Sequence, residues 1–361
     1  MTLTLGSLFS GIGALDLGLE RALGARTVFQ VERNPFCLDV LSRHWPAVPR
    51  ITDVADYLAW SGGDVTVLCG GIPCQPHSLA GARQGDQDAR WLWPEMLRWV
   101  AATHPVVVVL ENVLGLLTSS GGGVFASILL DLDALGYDVR WRVVSAEACG
   151  APHSRRRTFV TARLRTAPAF PLPAPDPAWG HPGWPSGPRE PQRAYEPARV
   201  IARCVNRKLR LGALGNAVVP QAAYRVGLEV RDALTTPWEP GEGPVLAPLS
   251  GKAPAWPKHG EMIGGRVRTT PAWPGRVTDP LDLWPTPRAS ESEMRTYAPC
   301  PTHGVSHGRQ LQAEVIALDG DPTAPAPGQR RPEIGALNPA WVECLMGLPL
   351  GWTEGTRDHL R

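Results

Sequence analysis

Residues 3–31 read LTLGSLFSGIGALDLGLERALGARTVFQV, and this stretch decides the predicted fold. The apolar start at 3–8 predicts a buried strand, and the glycines at positions 11 and 13 predict a tight turn directly after it. Apolar residues at helical spacing then predict a helix over 14–23, and residues 27–31 predict a second strand. A strand, a turn, a helix and a second strand in this order form a unit whose two strands are parallel neighbours.

The same alternation continues through the first part of the chain. Further strands are predicted at 50–52, 64–69, 106–110, 138–145 and 158–162, and further helices at 35–44, 89–103, 124–135 and 221–233. The run VVVVL at 106–110 is typical of a strand that is buried on both faces of a parallel sheet. These elements predict an α/β fold with a doubly wound, mostly parallel sheet and right-handed crossovers.

Composition and charge narrow the class of protein. The 361 residues are 43% hydrophobic and 19% charged, which is enough apolar material for a sizeable core. The formal net charge is only +2, so any nucleic-acid binding must come from local clusters of basic residues. No apolar run is long enough for a membrane span, and residues 1–5 lack the basic region of a secretory signal. Seven cysteines without a CxxC pair favour a reducing cytoplasm.

Proline content predicts how the chain is divided. Eight of the 38 prolines lie in the first 167 residues, and ten lie between positions 168 and 197. Because proline interrupts helices and central strands, this run predicts a linker or an irregular surface loop. The predicted division is a core at 1–165, a proline-rich linker at 166–204, the remainder of the core at 205–233 and a second, irregular region at 234–361. An apolar segment returns at 337–349.

Polar residues follow several predicted strands at the point where each strand ends. In an open parallel sheet, ligands bind in the crevice outside these carboxyl ends. The candidates are Gly11 and Gly13 in a turn, the carboxylates Glu32, Asp53 and Glu111, and the thiol of Cys74 after Pro73.

The spacing of the first candidates indicates a nucleoside site. Glu32 lies 19 positions after Gly13, which is typical of a carboxylate that binds ribose hydroxyls. Asp16 stands where a diphosphate site needs a third glycine. A cofactor with a cationic amino acid group, such as S-adenosylmethionine, therefore fits better than a nicotinamide dinucleotide.

Cys74 and Glu111 are the candidates for chemistry, and each has a structural alternative. A lone cysteine is more often a buried structural residue, but a strand end beside Glu111 favours a nucleophile. The alternative for Glu111 is a structural ion pair. The arginines at 155–157 are either a solvated basic run or a clamp on a phosphate or a base carbonyl. No metal is expected, because Cys300, His303 and His307 supply three ligands where a closed zinc site needs four.

Taken together, these residues resemble the cytosine-5 DNA methyltransferase family. The matching motifs are SLFSGIG at 7–13 with Leu15, Glu32, TDV at 52–54, GGIPCQP at 70–76, ENV at 111–113, GAPHSRRR at 150–157 and GNAVVP at 215–220. The resemblance covers roughly 3–165 and 209–233, with a weaker element at 337–353. It implies a Rossmann-like methyltransferase core with a smaller, irregular target-recognition domain.

The resemblance also implies a role for each site residue. The residues implied to bind S-adenosylmethionine are Phe9, Gly11, Gly13, Leu15, Glu32, Asp53, Pro73, Asn216 and Val218. Cys74 is implied as the nucleophile, Glu111 as the partner of the exocyclic amine and ring nitrogen, and Arg155 and Arg157 as the arginines at the base carbonyl. The implied substrate is a cytosine flipped out of specific double-stranded DNA. The enzyme would act as a monomer in the cytoplasm, in a restriction–modification, orphan or phage-type role.

The chain departs from the family pattern in two residues and in motif order. His153 and His77 replace a usual Gln and a usual Phe near the site. The GNAVVP element precedes about 140 residues instead of closing the chain, so recognition is expected at 234–361. Two alternatives stay open: a tRNA cytosine-5 methyltransferase of the same fold, and a catalytically silent DNA-binding relative.

Overall fold

The computed structural model describes residues 3–73, 91–172, 174–175, 179, 183–201, 203–240, 256–272, 282–289, 311–312, 314–315 and 336–355.

A nine-stranded mixed sheet forms the centre of the protein. Its strands are β1 (Thr4–Leu8), β2 (Arg26–Val31), β3 (Arg50–Ile51), β4 (Val67–Gly71), β5 (Val107–Asn112), β6 (Tyr137–Ser145), β7 (Arg156–Leu164), β9 (His259–Ile263) and β10 (Arg266–Thr269). Their order across the sheet is β10-β9-β6-β7-β5-β4-β1-β2-β3. A separate antiparallel pair joins β8 (Val200–Ile201) to β11 (Ala336–Leu337).

Helices cover both faces of this sheet. They are α1 (Ala14–Leu23), α2 (Pro35–His44), α3 (Trp93–Thr103), α4 (Gly123–Ala134), α5 (Arg207–Asn216), α6 (Pro220–Thr235) and α7 (Pro339–Leu345). Buried residues of α1, α5, α6 and α7 share one hydrophobic cluster, and those of α3 and α4 share the other. Alternate residues of β5 point into the two clusters, as the pleat of a strand requires.

The helices α1 and α6 approach each other closely because glycine lies at the contact. A Cβ at Gly18 would overlap the backbone of Pro220, and a Cβ at Gly227 would overlap Ala22. Neither position needs glycine for its φ angle, so close packing explains both residues.

The α/β prediction is confirmed, with one difference in strand direction. The five strands β3, β2, β1, β4 and β5 are parallel neighbours. In contrast, β7 pairs antiparallel with both β5 and β6. The connection from β6 to β7, residues 146–155, is too short for the helical crossover that a parallel pair needs. The chain therefore reverses direction, and β7 runs antiparallel to β6.

The region after residue 233 contributes to the same sheet. β9 pairs antiparallel with β6, and β10 continues from β9 as a hairpin. The sequence pattern predicts neither strand, because both strands are short and lie in a proline-rich and glycine-rich stretch. A recognition role for 234–361 stays a prediction, but residues 259–269 extend the core sheet.

Part of the predicted proline-rich linker is buried. Pro185, Ser186, Gly187 and Pro188 are all buried, and the Ser186 carbonyl accepts a hydrogen bond from the indole nitrogen of Trp284 at 2.8 Å. This part of the run packs against the folded protein rather than spanning solvent. No helix within the described ranges is long and apolar enough to cross a membrane.

Candidate functional site

A cleft of about 970 Å³ lies at the carboxyl ends of β1, β2, β4 and β5, where the sequence predicts the site. The predicted residues that line it are Phe9, Gly11, Leu15, Glu32, Asp53, Pro73, Glu111, Arg157, Asn216 and Val218. Gly13 and Arg155 are described but do not line the cleft. Cys74 follows Pro73 directly in the chain and lies outside the described residues.

The loop after β1 takes backbone angles that favour glycine. Gly11 and Gly13 have φ angles of 55° and 76°, in the left-handed region. Gly13 forms the N-terminal cap of α1, and a Cβ there would overlap the ring of Trp45. Phe9 has a φ of 54° without the freedom of glycine, which is a strained conformation of the kind found at functional loops. Gly13 therefore shapes the loop, while Phe9 and Gly11 line the cleft.

Glu32 joins the end of β2 to this loop. Its Oε2 accepts a hydrogen bond from the Gly11 amide at 2.8 Å, and its Oε1 accepts one from the Asn34 amide at 2.7 Å. A carboxylate oxygen has two lone pairs, so Glu32 retains acceptor capacity for a ligand hydroxyl. On the same rim, Asp53 is exposed, and its Oδ1 accepts a hydrogen bond from the Ala55 amide at 2.9 Å.

Asp16 lies at the floor of the cleft in a buried polar network. The Ser7 hydroxyl donates to its Oδ1 at 2.7 Å, and the Gln30 amide donates to its Oδ2 at 2.8 Å. Asp16 is 0% exposed, and burial raises its pKa to about 6 despite these donors. The carboxyl group thus links α1 to β1 and β2 beneath the cleft.

Glu111, at the end of β5, forms an ion pair with Arg157 of β7. The Arg157 Nε and the Glu111 Oε1 are 2.8 Å apart, and Glu111 is 8% exposed. Burial raises the pKa of Glu111, and the positive charges of Arg157 and then Arg155 oppose the rise without cancelling it. Gly71 is the partner of Glu111 across the β4–β5 ladder, and a Cβ there would come within 3.1 Å of Glu111 Oε2. The carboxyl group is therefore held between two strands and remains easier to protonate than an ordinary glutamate.

Asn112 ties the ends of β4 and β5 together. Its Nδ2 donates to the Ile72 carbonyl at 3.3 Å, and its Oδ1 accepts from the Val113 amide at 2.8 Å. Ile72 and Pro73 are the last described residues before Cys74. Asn112 thus fixes the backbone that leads to Cys74. Asn112 belongs to the ENV motif, but no sequence pattern indicates this bridging role.

Arg155 differs from its predicted place at the base carbonyl. It is 3% exposed, and its guanidinium donates to the backbone carbonyls of Gly215 at 2.9 Å, Ala217 at 2.5 Å and Pro287 at 2.9 Å. These bonds connect the residue that precedes β7 to the GNAVVP element and to Pro287. The register of the arginine motif does not reveal this, because the three acceptors lie far away in the chain. Of the two predicted arginines, only Arg157 lines the cleft.

Residues of α5 also line the cleft. Asn216 is the last residue of this helix, and Val218 follows it in the next turn of chain. The sequence pattern does not predict α5, and its other cleft residues are therefore absent from the predicted site: Lys208, Leu209, Gly212 and Ala213. The apolar residues Leu211 and Leu214, three positions apart and both buried, are the helical signal in this stretch.

His153 does not line the cleft. It is 0% exposed, and its Nε2 donates to the Leu345 carbonyl of α7 at 3.0 Å. Burial, followed by the charge of Arg155, lowers its pKa to about 3, so the ring is neutral. His77 lies outside the described residues, as do Cys300, His303 and His307. Among the residues that are described, no cluster of His, Cys, Asp and Glu has the composition of a metal site.

The cleft suits the cofactor that the sequence indicates. Its polar acceptors are the carboxylates of Glu32 and Asp53 on the rim, and its apolar walls include Phe9, Leu15 and Val218. Carboxylates match the hydroxyl, amino and ammonium groups of S-adenosylmethionine, and a volume of about 970 Å³ is at the upper end for a small-molecule site.

Comparison with known proteins identifies the relatives of this chain. Residues 3–183 match the family model of the C-5 cytosine-specific DNA methylases. The chain is 34% identical over 174 residues to the Type II methyltransferase M.NlaIV of Neisseria lactamica, which is 45% of this chain and 41% of that protein. It is 32% identical over 191 residues to the Type II methyltransferase M.AquIA of a Picosynechococcus species, which is 48% of this chain and 77% of that protein. The match thus spans less than half of the Neisseria relative and most of the Picosynechococcus one.

Among solved structures, one that aligns with part of this chain is the Dnmt2 methyltransferase of S. pombe. The identity is 22% and the TM-score 0.39, over 46% of this chain and 53% of that one.

Proposed function

The chain belongs to the C-5 cytosine-specific DNA methylase family, and we propose that it transfers a methyl group from S-adenosylmethionine to C5 of a cytosine in double-stranded DNA. The observation that carries this proposal is the ion pair of Glu111 with Arg157 in the same cleft as Glu32 and Asp53. The cytosine ring needs an acid, and Glu111 is a buried carboxyl group with a raised pKa. S-adenosylmethionine needs hydrogen-bond acceptors, and Glu32 and Asp53 provide them on the rim of the cleft.

The cofactor end of the cleft is formed by the glycine loop, the rim carboxylates and the end of α5. We assign Glu32 to the ribose hydroxyls, Asp53 to the adenine amino group, and Phe9, Gly11, Leu15, Pro73, Asn216 and Val218 to the remaining surface. When bound, S-adenosylmethionine supplies an electrophilic methyl group. The chain's own residues hold this methyl group beside the base and exclude water.

The base is activated by covalent catalysis at Cys74. Its thiolate adds to C6 of the cytosine, forming a C–S bond while the ring electrons move toward C5 and N3. Glu111 donates its proton to N3 as charge develops there, and Arg157 binds the base carbonyl. C5 then forms a bond to the methyl carbon while that carbon's bond to the cofactor sulfur breaks, leaving S-adenosylhomocysteine. Loss of the C5 proton to a base and departure of the Cys74 thiolate restore the aromatic ring, and N3 returns its proton to Glu111.

The environment of Glu111 suits this acid role. Its raised pKa keeps a larger protonated fraction near neutral pH than an ordinary glutamate would have. Arg157 holds Oε1, so the carboxyl group can present its other oxygen, Oε2, to the base. The arginine therefore both orients the acid and provides a donor for the carbonyl.

DNA binding is assigned to the region after residue 233. A cytosine must leave the duplex to reach Glu111, at a cost of a few kcal/mol. We expect 234–361 to read the target sequence, the chain to act as a monomer in the cytoplasm, and the role to be restriction–modification, orphan or phage-type. Arg155 is reassigned from base contact to positioning, since its donors hold the GNAVVP element.

Sequencing of 5-methylcytosine in DNA from cells that express the chain tests this function. We expect methylation of cytosine at one recurring sequence, and none in cells that express the Cys74→Ser variant at an equal level. DNA without added 5-methylcytosine, together with 5-methylcytosine in transfer RNA, would instead support the RNA enzyme. Methylation at neither would support a catalytically silent relative.

A further inference from the structure

The terminal segment 336–355, which contains β11 and α7, packs against the loop that would hold the cofactor. Trp352 lies in this segment and is 6% exposed. Its indole nitrogen donates to the Ile12 carbonyl at 2.9 Å. Ile12 lies between Gly11 and Gly13, whose positive φ angles shape the loop. A residue 340 positions away in sequence thus binds the centre of the cofactor loop.

Trp352 is itself held from two sides. Its ring stacks on His44 of α2, with the ring centroids 3.5 Å apart and the planes within 7°. Its carbonyl accepts a hydrogen bond from His44 Nε2 at 3.0 Å. Trp45 makes an edge contact with the same indole at 5.8 Å and also packs beneath Gly13. The indole is therefore fixed in the orientation that reaches Ile12.

The same segment also binds α5, whose residues line the cleft. Glu343 of α7 is 0% exposed and pairs with Arg210 of α5 at 2.9 Å. Glu343 also accepts hydrogen bonds from the Gly351 amide at 2.7 Å, from the Thr353 amide at 2.8 Å and from the Thr353 hydroxyl. The turn that carries Trp352 is thus fastened to the helix that ends at Asn216.

We propose that Trp352 is a positioning residue for the cofactor: through the Ile12 carbonyl it holds the glycine loop at the distance from α5 that S-adenosylmethionine requires. Glu343 and Arg210 set the position of the turn from which Trp352 acts. Phe9, Gly11 and Gly13 take left-handed backbone angles in this loop, and a hydrogen bond from outside the loop stabilises that conformation. This inference rests on the proposed function, because it concerns the cofactor that function uses.

The variant Trp352→Phe tests the proposal. Phenylalanine keeps a ring on His44 but removes the nitrogen that binds Ile12. The matched control is Trp141→Phe, because the Trp141 indole nitrogen also donates to a backbone carbonyl, that of Pro257 at 2.9 Å, and the ring is 0% exposed in β6. Both variants lose one buried indole hydrogen bond, and only the first loses it at the cofactor loop.

Calorimetric titration with S-adenosylmethionine is done below the unfolding midpoint of every variant. We expect Trp352→Phe to bind roughly tenfold more weakly, the size of one hydrogen-bond loss, and Trp141→Phe to bind like the wild type. In steady-state assays the KM for S-adenosylmethionine should rise while kcat at saturation is retained. If Trp352→Phe does not fold, Thr353→Val replaces it, because this change loosens the turn without removing the indole, and a weaker affinity is again expected.

The titration distinguishes failure of the proposed function from failure of the positioning role. A wild-type chain that does not bind S-adenosylmethionine contradicts the proposed function. A wild-type chain that binds it, with a folded Trp352→Phe variant of equal affinity, contradicts only the positioning role.

Discussion

Arg157 Nε lies 2.8 Å from Glu111 Oε1, and both side chains belong to neighbouring strands that end at the same cleft. Burial favours the neutral form of the carboxyl group, whereas the arginine favours the charged form. Burial has the larger effect, so the pKa of Glu111 is raised. A glutamate that is both oriented by a cation and easier to protonate can donate a proton to a ring nitrogen and take it back.

The first prediction follows from this pair. Glu111→Gln keeps the size of the side chain and removes its proton donor, so turnover should fall by roughly 10²–10⁴. Affinity for S-adenosylmethionine should change little, because Glu32, Asp53 and the glycine loop are intact. Methyl transfer to DNA and calorimetric titration measure the two effects. Retention of wild-type turnover in the variant would remove Glu111 from the mechanism.

The second prediction concerns Cys74. An oxygen nucleophile has a far higher pKa and adds poorly to C6, so Cys74→Ser should abolish turnover and still bind S-adenosylmethionine. DNA with 5-fluorocytosine at the target should trap the wild-type chain, because the fluorine cannot leave as a proton. The check is a shifted band on a denaturing gel that requires the cofactor and is absent for Cys74→Ser. A wild-type chain that methylates normal DNA without ever forming this band would speak against a covalent adduct.

The sequence predicts the parallel half of the sheet and most of the cleft for a physical reason. Strands such as β5 and helices such as α1 bury residues at a regular period, and ligand residues follow strand ends. Contacts between distant parts of the chain leave no such local signal. The bonds of Arg155 to Gly215 and Ala217, and of Trp352 to Ile12, therefore appear only in the folded protein.

The third prediction concerns the rim carboxylates. Glu32→Ala and Asp53→Ala should each weaken binding of S-adenosylmethionine by about 1.5–3 kcal/mol, the value of hydrogen bonds to a charged acceptor. Asp53→Asn removes the charge but can keep the hydrogen bond from the Ala55 amide through its remaining oxygen. Comparison with Asp53→Ala therefore separates the effect of the lost charge from the effect of the lost turn. Asp56→Asn, a nearby exposed carboxyl group, is the control for net charge. Equal affinities in both alanine variants and the wild type would place the cofactor elsewhere.

The fourth prediction is a pH dependence of stability from Asp16. Its folded pKa of about 6 lies above the ordinary 3.8, so between these values the folded state binds more protons than the unfolded state. The free energy of unfolding should therefore decrease as the pH rises through this window, by at most about 3 kcal/mol.

Asp16→Asn should remove this decrease. The asparagine oxygen can accept from Ser7, and the Gln30 amide can turn so that its Oε1, which has no described partner, accepts from the new amide. Urea unfolding at pH 5 and pH 8 compares the two chains, with Asp56→Asn as control. The role of Asp16 would be contradicted if, from pH 5 to pH 8, the free energy of unfolding of the wild-type chain rose by more than that of Asp16→Asn.

The fifth prediction concerns a chain that ends at Ala233. The sequence alone predicts that this fragment folds and binds S-adenosylmethionine, because every predicted cofactor contact lies before the cut. The structure predicts the opposite outcome. The cut uncovers the edge of β6 that β9 pairs with, and it leaves Arg210, which is 5% exposed, without Glu343. The cut also removes Leu337, Trp341 and Leu345 from the hydrophobic cluster that they share with α1, α5 and α6. Each large apolar side chain lost from a core costs a few kcal/mol, a large share of the stability of an ordinary domain.

Circular dichroism and calorimetric titration of the fragment check this expectation against a chain that ends at Gly355. The longer chain retains β9, α7 and Trp352, so it should fold and bind the cofactor like the full protein. The fragment that ends at Ala233 should show a lower unfolding midpoint or no cooperative transition, and no measurable binding. If it folded cooperatively and bound S-adenosylmethionine with the affinity of the full chain, the terminal segment would be dispensable for the cofactor cleft. Its contacts with Ile12 and Arg210 would then stabilise only the segment itself.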